Sequence, residues 1–263
     1  MAPNTYRKLQ DKHVLVIGGS SGIGAGVAEA AVASGARVTI SSSSQTKVDS
    51  VVNRLATDYP ESSVCGLASD LSKPTVEADL DALFAAAKSA QGGVVVNHVV
   101  YTAGDILTLG GLDAVSVEAI NKATHMRMTV PILLAKVAGR HLPKERFSSI
   151  TITSGSVVDK PGKGWAVIGF LAGGLVSVVR ALAVDLAPIR VNVVKPGFVA
   201  TPLWNDLMSQ EEIDAVVTDT EATKLLTGKF GTPEDVAEAY LWLLKDANVT
   251  GSVASTDGGQ LLA

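Results

Sequence analysis

The chain has a single cysteine, Cys65, among 263 residues, which excludes an internal disulfide and any cysteine-built zinc cluster. Its four histidines, His13, His98, His125 and His141, are scattered and show no metal-ligand spacing. There is no excess of basic charge. Lys plus Arg total 22 against 26 Asp plus Glu, a net charge of −4, which argues against a nucleic-acid partner. The N-terminal stretch MAPNTYRKLQDKH is polar and lacks the apolar core of a signal peptide. The longest uncharged run, Gly164 to Val179, is too short for a span of about 20 residues and reads as a buried helix, so no membrane partner is expected. These absences leave a cytoplasmic globule whose hydrophobic content, 47%, suffices for a large core.

Short apolar, β-branched runs alternate with helical segments. Strands are predicted at Val14–Gly18, Arg37–Ser42, Ser63–Ala68, Val94–Thr102, Ser149–Ser154, Ile189–Lys195 and Ser252–Asp257. Helices are predicted at Ile23–Ala33, Thr46–Asp58, Val76–Ala90, Ala114–Ala138, Trp165–Leu186 and Pro233–Lys245. The strands are continuously apolar, as strands buried on both faces are. The alternation predicts an α/β fold: one doubly wound, parallel Rossmann-type sheet of about seven strands with helices on both faces. Residues 1–263 read as one domain, with an insertion near 203–230 that breaks the alternation. An insertion of that size at the carboxyl ends of strands suits a substrate lid, with Trp204 and Met208 either forming its apolar surface or packing the insertion against the body.

The first strand ends in Gly18-Gly19-Ser20-Ser21-Gly22-Ile23-Gly24 and runs into a helix. Glycines there permit a tight turn and let the backbone approach a pyrophosphate, which the helix N-terminus stabilises through its dipole and N–H groups. The second strand closes on Ser41-Ser42-Ser43-Ser44, where a ribose-binding carboxylate would be expected. Hydroxyls and backbone N–H groups at Ser42, Ser43 and Ser44 suit a 2′-phosphate, which favours NADP(H) over NAD(H).

With those motifs the chain resembles the short-chain dehydrogenase/reductase family over nearly its whole length. The glycine turn matches the family's T-G-x-x-x-G-I-G with Ile17 in place of threonine. Asp70-Leu71 resembles the adenine-pocket step, and Ala103-Gly104 the end of the N-N-A-G motif, with Tyr101 and Thr102 in place of the two asparagines and Thr102 kept among the cofactor-binding candidates. Asn121 resembles the active-site asparagine. Pro196-Gly197-Phe198-Val199-Ala200-Thr201 resembles the nicotinamide-side loop, contributing Pro196, Gly197, Val199 and Thr201, and Asp257-Gly258-Gly259 resembles the terminal signature. The resemblance also implies a homodimer or homotetramer built on the fourth and fifth helices, and the uncharged stretch Ala166–Val179 fits such an interface.

The family's catalytic pattern fails here. Ser156 fits the usual serine, but Ile168 stands where the tyrosine belongs and Ala172 where the lysine belongs. The four tyrosines, Tyr6, Tyr59, Tyr101 and Tyr240, are followed at i+4 by Gln10, Ser63, Asp105 and Leu244, so no Tyr-x-x-x-Lys exists. Losing the lysine removes a charge-assisted bond worth roughly 1.5–3 kcal/mol. Losing the tyrosine removes an acid worth roughly 10²–10⁴ in rate. Arg127 is a candidate to stabilise developing negative charge, Trp165 to stack on a planar substrate, and Tyr101 to carry a proton. Asp159, Lys160 and Lys163 are weighed as proton carriers against a solvated loop. Arg127 and the run from Thr153 to Trp165 look like a branch of the family without the tyrosine and lysine. That branch includes fungal indole-alkaloid enzymes that combine NADPH-dependent iminium reduction with Diels–Alder cyclisation. Those enzymes carry an aspartate where this chain has Gly162.

The resulting expectation is an NADPH-dependent reductase of a small apolar biosynthetic molecule, an iminium or an activated alkene or carbonyl. Two alternatives are a cyclase or isomerase that keeps NADP as a structural wall, and a non-catalytic NADP-binding subunit.

Overall fold

The computed structural model describes residues 5–104, 111–206 and 208–263. Seven strands form one parallel sheet in the order β3-β2-β1-β4-β5-β6-β7. They are β1 (His13–Ile17), β2 (Arg37–Ser42), β3 (Val64–Ala68), β4 (His98–Tyr101), β5 (Ser149–Thr153), β6 (Arg190–Pro196) and β7 (Val253–Thr256). The order reverses between β1 and β4, where Ile17 pairs with Tyr101, and ligands of such sheets bind at that point.

The helices are α1 (Gly22–Ala33), α2 (Gln45–Asp58), α3 (Val76–Ala90), α4 (Val117–Thr124), α5 (Val130–His141), α6 (Ala166–Asp185), α7 (Gln210–Thr223) and α8 (Pro233–Lys245). Strand alternation divides the core. Val14, Val16, Val38 and Ile40 pack with Val27 of α1 and Val236 and Tyr240 of α8. Leu15, Ile17, Val99 and Ile150 face Leu80 of α3, Leu134 of α5 and Leu175 of α6 on the other side.

Three elements depart from the sequence reading. The fourth strand starts at His98 rather than Val94, because Gly92 and Gly93 take left-handed φ of +66° and +88° in the preceding turn. The helix expected over 114–138 starts at Val117, runs to His141 and departs from α geometry in its middle. A 3₁₀ turn (Leu112–Ala114) precedes α4, and a five-residue π turn, His125–Thr129, separates α4 from α5. The insertion carries a full helix, α7, whose N-terminus is closed by a capping box between Ser209 and Glu212. Leu207 of the insertion and residues 105–110 lie outside the described residues.

Helix α6 also qualifies the reading of its apolar run. Extended through Arg180 to Asp185, it is long and apolar enough to cross a membrane by length and composition. Here it buries Leu171, Ala172, Leu175 and Val179 against the sheet.

Candidate active site

The glycine turn is wedged between the ends of β2 and β4. Gly18 N–H donates to Ser41 O at 2.8 Å, and Thr102 Oγ1 donates to Ile17 O at 3.2 Å. Gly18 has φ +92°, and a Cβ there would lie 2.4 Å from Ala103 N. A Cβ on Gly24 would lie 2.2 Å from Gly18 O. Neither position tolerates a side chain.

Ser20 leads into Ser21, which occupies the N-cap of α1 but makes no side-chain cap bond. The N–H groups of Gly22, Ile23 and Gly24 therefore remain for an anion at the helix start. Opposite stands the loop after β6. Gly22 comes close enough to it that an added Cβ would sit 3.2 Å from Thr201 Cβ. Pro196 ends β6, Gly197 leaves no room for a Cβ against Asp257 Cα at 2.7 Å, and buried Val199 bridges to Gly231. These residues fit a dinucleotide whose pyrophosphate meets the α1 N-terminus.

At the adenosine end, Ser44 caps α2, accepting from Lys47 N–H at 3.4 Å, while Ser42 is half-buried and Ser43 exposed. Asp70 accepts from Ser72 Oγ at 2.6 Å and Ser72 N–H at 3.1 Å. Those bonds, with Lys73 nearby, hold its carboxyl below the usual carboxylate range. Leu71 is buried, and its carbonyl meets His125 Nε2 at 2.9 Å, which ties the π turn to the end of β3.

The π turn gives Arg127 its place. The Arg127 guanidinium lies 3.3–3.5 Å from where a Gly104 Cβ would be, so the cation spreads over the backbone beyond β4. The turn is braced by Tyr101, whose Oη donates to Met126 O at 2.7 Å. Tyr101 is 3% exposed. The phenol is thus held against the π turn, and Thr153 Oγ1 in turn donates to Tyr101 O at 2.8 Å.

Ser156 is half-buried and opens a 3₁₀ turn, Ser156–Val158, beyond β5. Ser154 fastens the same region to α6 through its Oγ and Ala172 O at 2.9 Å. Trp165 caps α6, and its indole lies over Gly162, where a Cβ would be 3.0 Å from Cδ2 and Cε2. Asn121 is exposed on α4, and the helix passes into the π turn at His125, between Asn121 and Arg127.

The three loop charges separate. Asp159 forms an ion pair with Lys195, a residue that motif reading overlooked. Lys160 Nζ donates to Gln260 O and Ala263 O at 2.8 and 2.6 Å, and Lys163 is exposed. The available signal for Lys195 was a lone charge closing an apolar strand just before Pro196-Gly197.

At the root of the insertion, Phe198, Trp204 and Phe230 pack together with centroids 5.4–6.2 Å apart. Trp204 Nε1 donates to Val199 O at 2.8 Å, tying this cluster to the loop that faces α1.

Comparison with known proteins agrees with this geometry. Residues 5–263 match the model of the SDR-like Rossmann domain. The short-chain dehydrogenase/reductase fsr5 of Gibberella fujikuroi is 41% identical over 261 residues, covering 97% of both chains. The structure of MalC reductase/Diels–Alderase from Malbranchea aurantiaca superposes with a TM-score of 0.92 at 37% identity, covering 98% of this chain and 100% of that one. An NADPH-bound short-chain oxidoreductase from Pseudomonas aeruginosa with an atypical catalytic center shares the fold, with a TM-score of 0.85 at 20% identity over 95% and 98% of the chains. The match over nearly the whole chain and the intact glycine turn place this protein in the short-chain dehydrogenase/reductase family.

Proposed function

We propose that the protein is an NADPH-dependent reductase of a small, apolar biosynthetic molecule, an iminium or an activated alkene or carbonyl. The observation that supports this reading is the glycine turn at the start of α1, packed against Thr102 and Thr201 with the Arg127 guanidinium beside Gly104, in a chain that has Ile168 and Ala172 at the positions resembling the family's tyrosine and lysine. NADPH, when bound, supplies the hydride.

The chain's own groups do the rest. The α1 N-terminus holds the pyrophosphate, and Asp70 accepts from the adenine amine. Ser42, Ser43 and the N-terminus of α2 at Ser44 receive the 2′-phosphate. Ser156 and Asn121 orient the substrate or a water, and Trp165 supplies a flat apolar wall. Arg127 stabilises negative charge as it develops.

Stereospecifically deuterated NADPH, offered with panels of enones, ketones and iminium ions, tests the reading. Transfer of label to product is expected, and consumption of no substrate in any of the three panels would sink it. A cyclase reading has one observation behind it, the structural likeness to MalC reductase/Diels–Alderase, and predicts turnover with oxidised cofactor. The partner expected besides the small molecule is a second copy of the chain. Phe170 at 60% and Val184 at 77% exposure leave an apolar face on α6 for it.

A further inference from the structure

Lys195 is 8% exposed and lies one residue before the end of β6. Strand alternation decides where it goes. Val191 and Val193 pack on the α6 face with Leu175 and Val179, whereas Val194 packs on the opposite face with Val27 and Val236. Lys195 therefore leaves the sheet on the α6 face. That helix carries Ile168 and Ala172, the positions that resemble the family's missing acid and lysine.

The Lys195 ammonium donates to Asp159 Oδ2. Asp159 stands on the turn opened by Ser156, its N–H donating to Ser156 O at 3.0 Å. An ammonium has three donors. Among the described residues, Asp159 is the one acceptor hydrogen-bonded to Nζ, so two donors remain for a ligand. Burying a lysine is costly, and an apolar side chain of similar size often serves stability as well. The partner is not sealed away: the Asp159 side chain is 39% exposed and opens toward solvent.

We propose that Lys195 is the acid of the reduction, with Asp159 as its link to solvent, and that the substrate is a neutral enone or carbonyl. This assignment rests on the reductase reading above. Hydride from the reduced dinucleotide bonds to the electrophilic carbon, and the displaced π pair comes to rest on oxygen. That oxygen takes a proton from Lys195 Nζ, leaving a neutral amine; a solvent proton passed along Asp159 restores the ammonium. An enone thus yields an enol that becomes the saturated ketone, and a ketone yields an alcohol.

Hydrogen bonding selects the substrate class. Arg127 lies beyond β4 and Lys195 at the end of β6, with β5 between those strands. The Lys195 donors need an acceptor, which a carbonyl oxygen gaining negative charge offers and an iminium nitrogen, with no lone pair, does not. The other charges around Lys195 leave this unaltered. Helix α6 carries none from Ala166 to Val179, Lys160 is turned to Gln260 and Ala263, and Asp257 lies past β7.

The test compares the wild type with Lys195→Met, Lys195→Arg and Asp159→Asn on enone, ketone and iminium panels. NADPH affinity is followed by fluorescence titration and folding by circular dichroism. Lys195→Met is expected to lower kcat on enones or ketones by about 10²–10⁴-fold. Its NADPH Kd should stay within about threefold of wild type. Lys195→Arg is expected to be equally slow, since a guanidinium keeps the charge and the ion pair but does not release its proton. Asp159→Asn is expected to slow turnover and enlarge the solvent deuterium isotope effect. Wild-type turnover by Lys195→Arg or Lys195→Met, or wild-type activity confined to iminium ions, overturns the assignment. Should Lys195→Met fail to fold, Lys195→Arg and Asp159→Asn decide alone. If the wild type oxidises NADPH with no panel member, the reductase reading falls, and this assignment with it.

Discussion

His98 shows how one buried side chain sets a property of the whole protein. It is 2% exposed and bonded through Nδ1 to Ser149 Oγ at 2.8 Å. Burial, aided by Arg190 and Lys12, lowers its pKa from 6.5 to about 3. The unfolded chain therefore binds a proton that the folded chain refuses. Stability is full above about pH 6.5 and falls as pH drops toward 3, by about 1.4 kcal/mol per unit. His13, lowered by burial, acts in the same direction. Urea midpoints should drop between pH 7.5 and pH 5, and His98→Gln should flatten that slope. Gly104 offers a second check at this scale. Its Cβ in Gly104→Ala would press on the Arg127 guanidinium at 3.3–3.5 Å, within what a long side chain can yield. The variant should fold and bind NADPH normally while turnover falls about tenfold, because the cation is moved and not removed.

The π turn between α4 and α5 is the element that motif reading could not find. Apolar spacing at 3.6 residues per turn is nearly blind to one extra residue, so Ala114–Ala138 read as a single helix. The glycine turn was legible because its chemistry is local: Gly18 and Gly24 announce a backbone path directly. The Lys195–Asp159 pair was not, since 36 residues separate its members and only the sheet brings them together. The setting of Tyr101 was hidden for the same reason. Its position at the end of β4 was clear, but Met126 O, the acceptor that occupies its phenol, is exposed by the π turn. Tyr101→Phe should therefore cost about 1 kcal/mol and lower Tm by about 2–4 °C. Differential scanning calorimetry checks the loss, and turnover should survive, as it would not if the phenol carried the proton. Arg190 ties another element. Its guanidinium donates to Leu243 O and Leu244 O at the end of α8, to Val249 O in the loop beyond it and to Arg146 O, at 2.7–3.1 Å. Arg190→Met would orphan those carbonyls, with an expected loss of about 3 kcal/mol read from urea unfolding.

For the whole molecule, the strand count, the order of the motifs and the sites of both cores were written in the apolar runs. The surface that α6 presents is a matter of assembly. Phe170, 60% exposed within the uncharged stretch Ala166–Val179, marks the expected contact with a second copy. Light scattering should give a dimer or tetramer, and Phe170→Glu should shift the mass toward the monomer. The sheet order has a consequence for how the protein is made. The glycine turn leaves the ribosome well before its rear wall, Thr102 and Ala103, some eighty residues later, and its opposite wall, Thr201, later still. No intermediate of synthesis that lacks those walls owns a nucleotide site. A fragment ending before β4 should ignore NADPH although it carries every glycine of the turn, so cofactor binding by a nascent chain would certify that synthesis has passed β4.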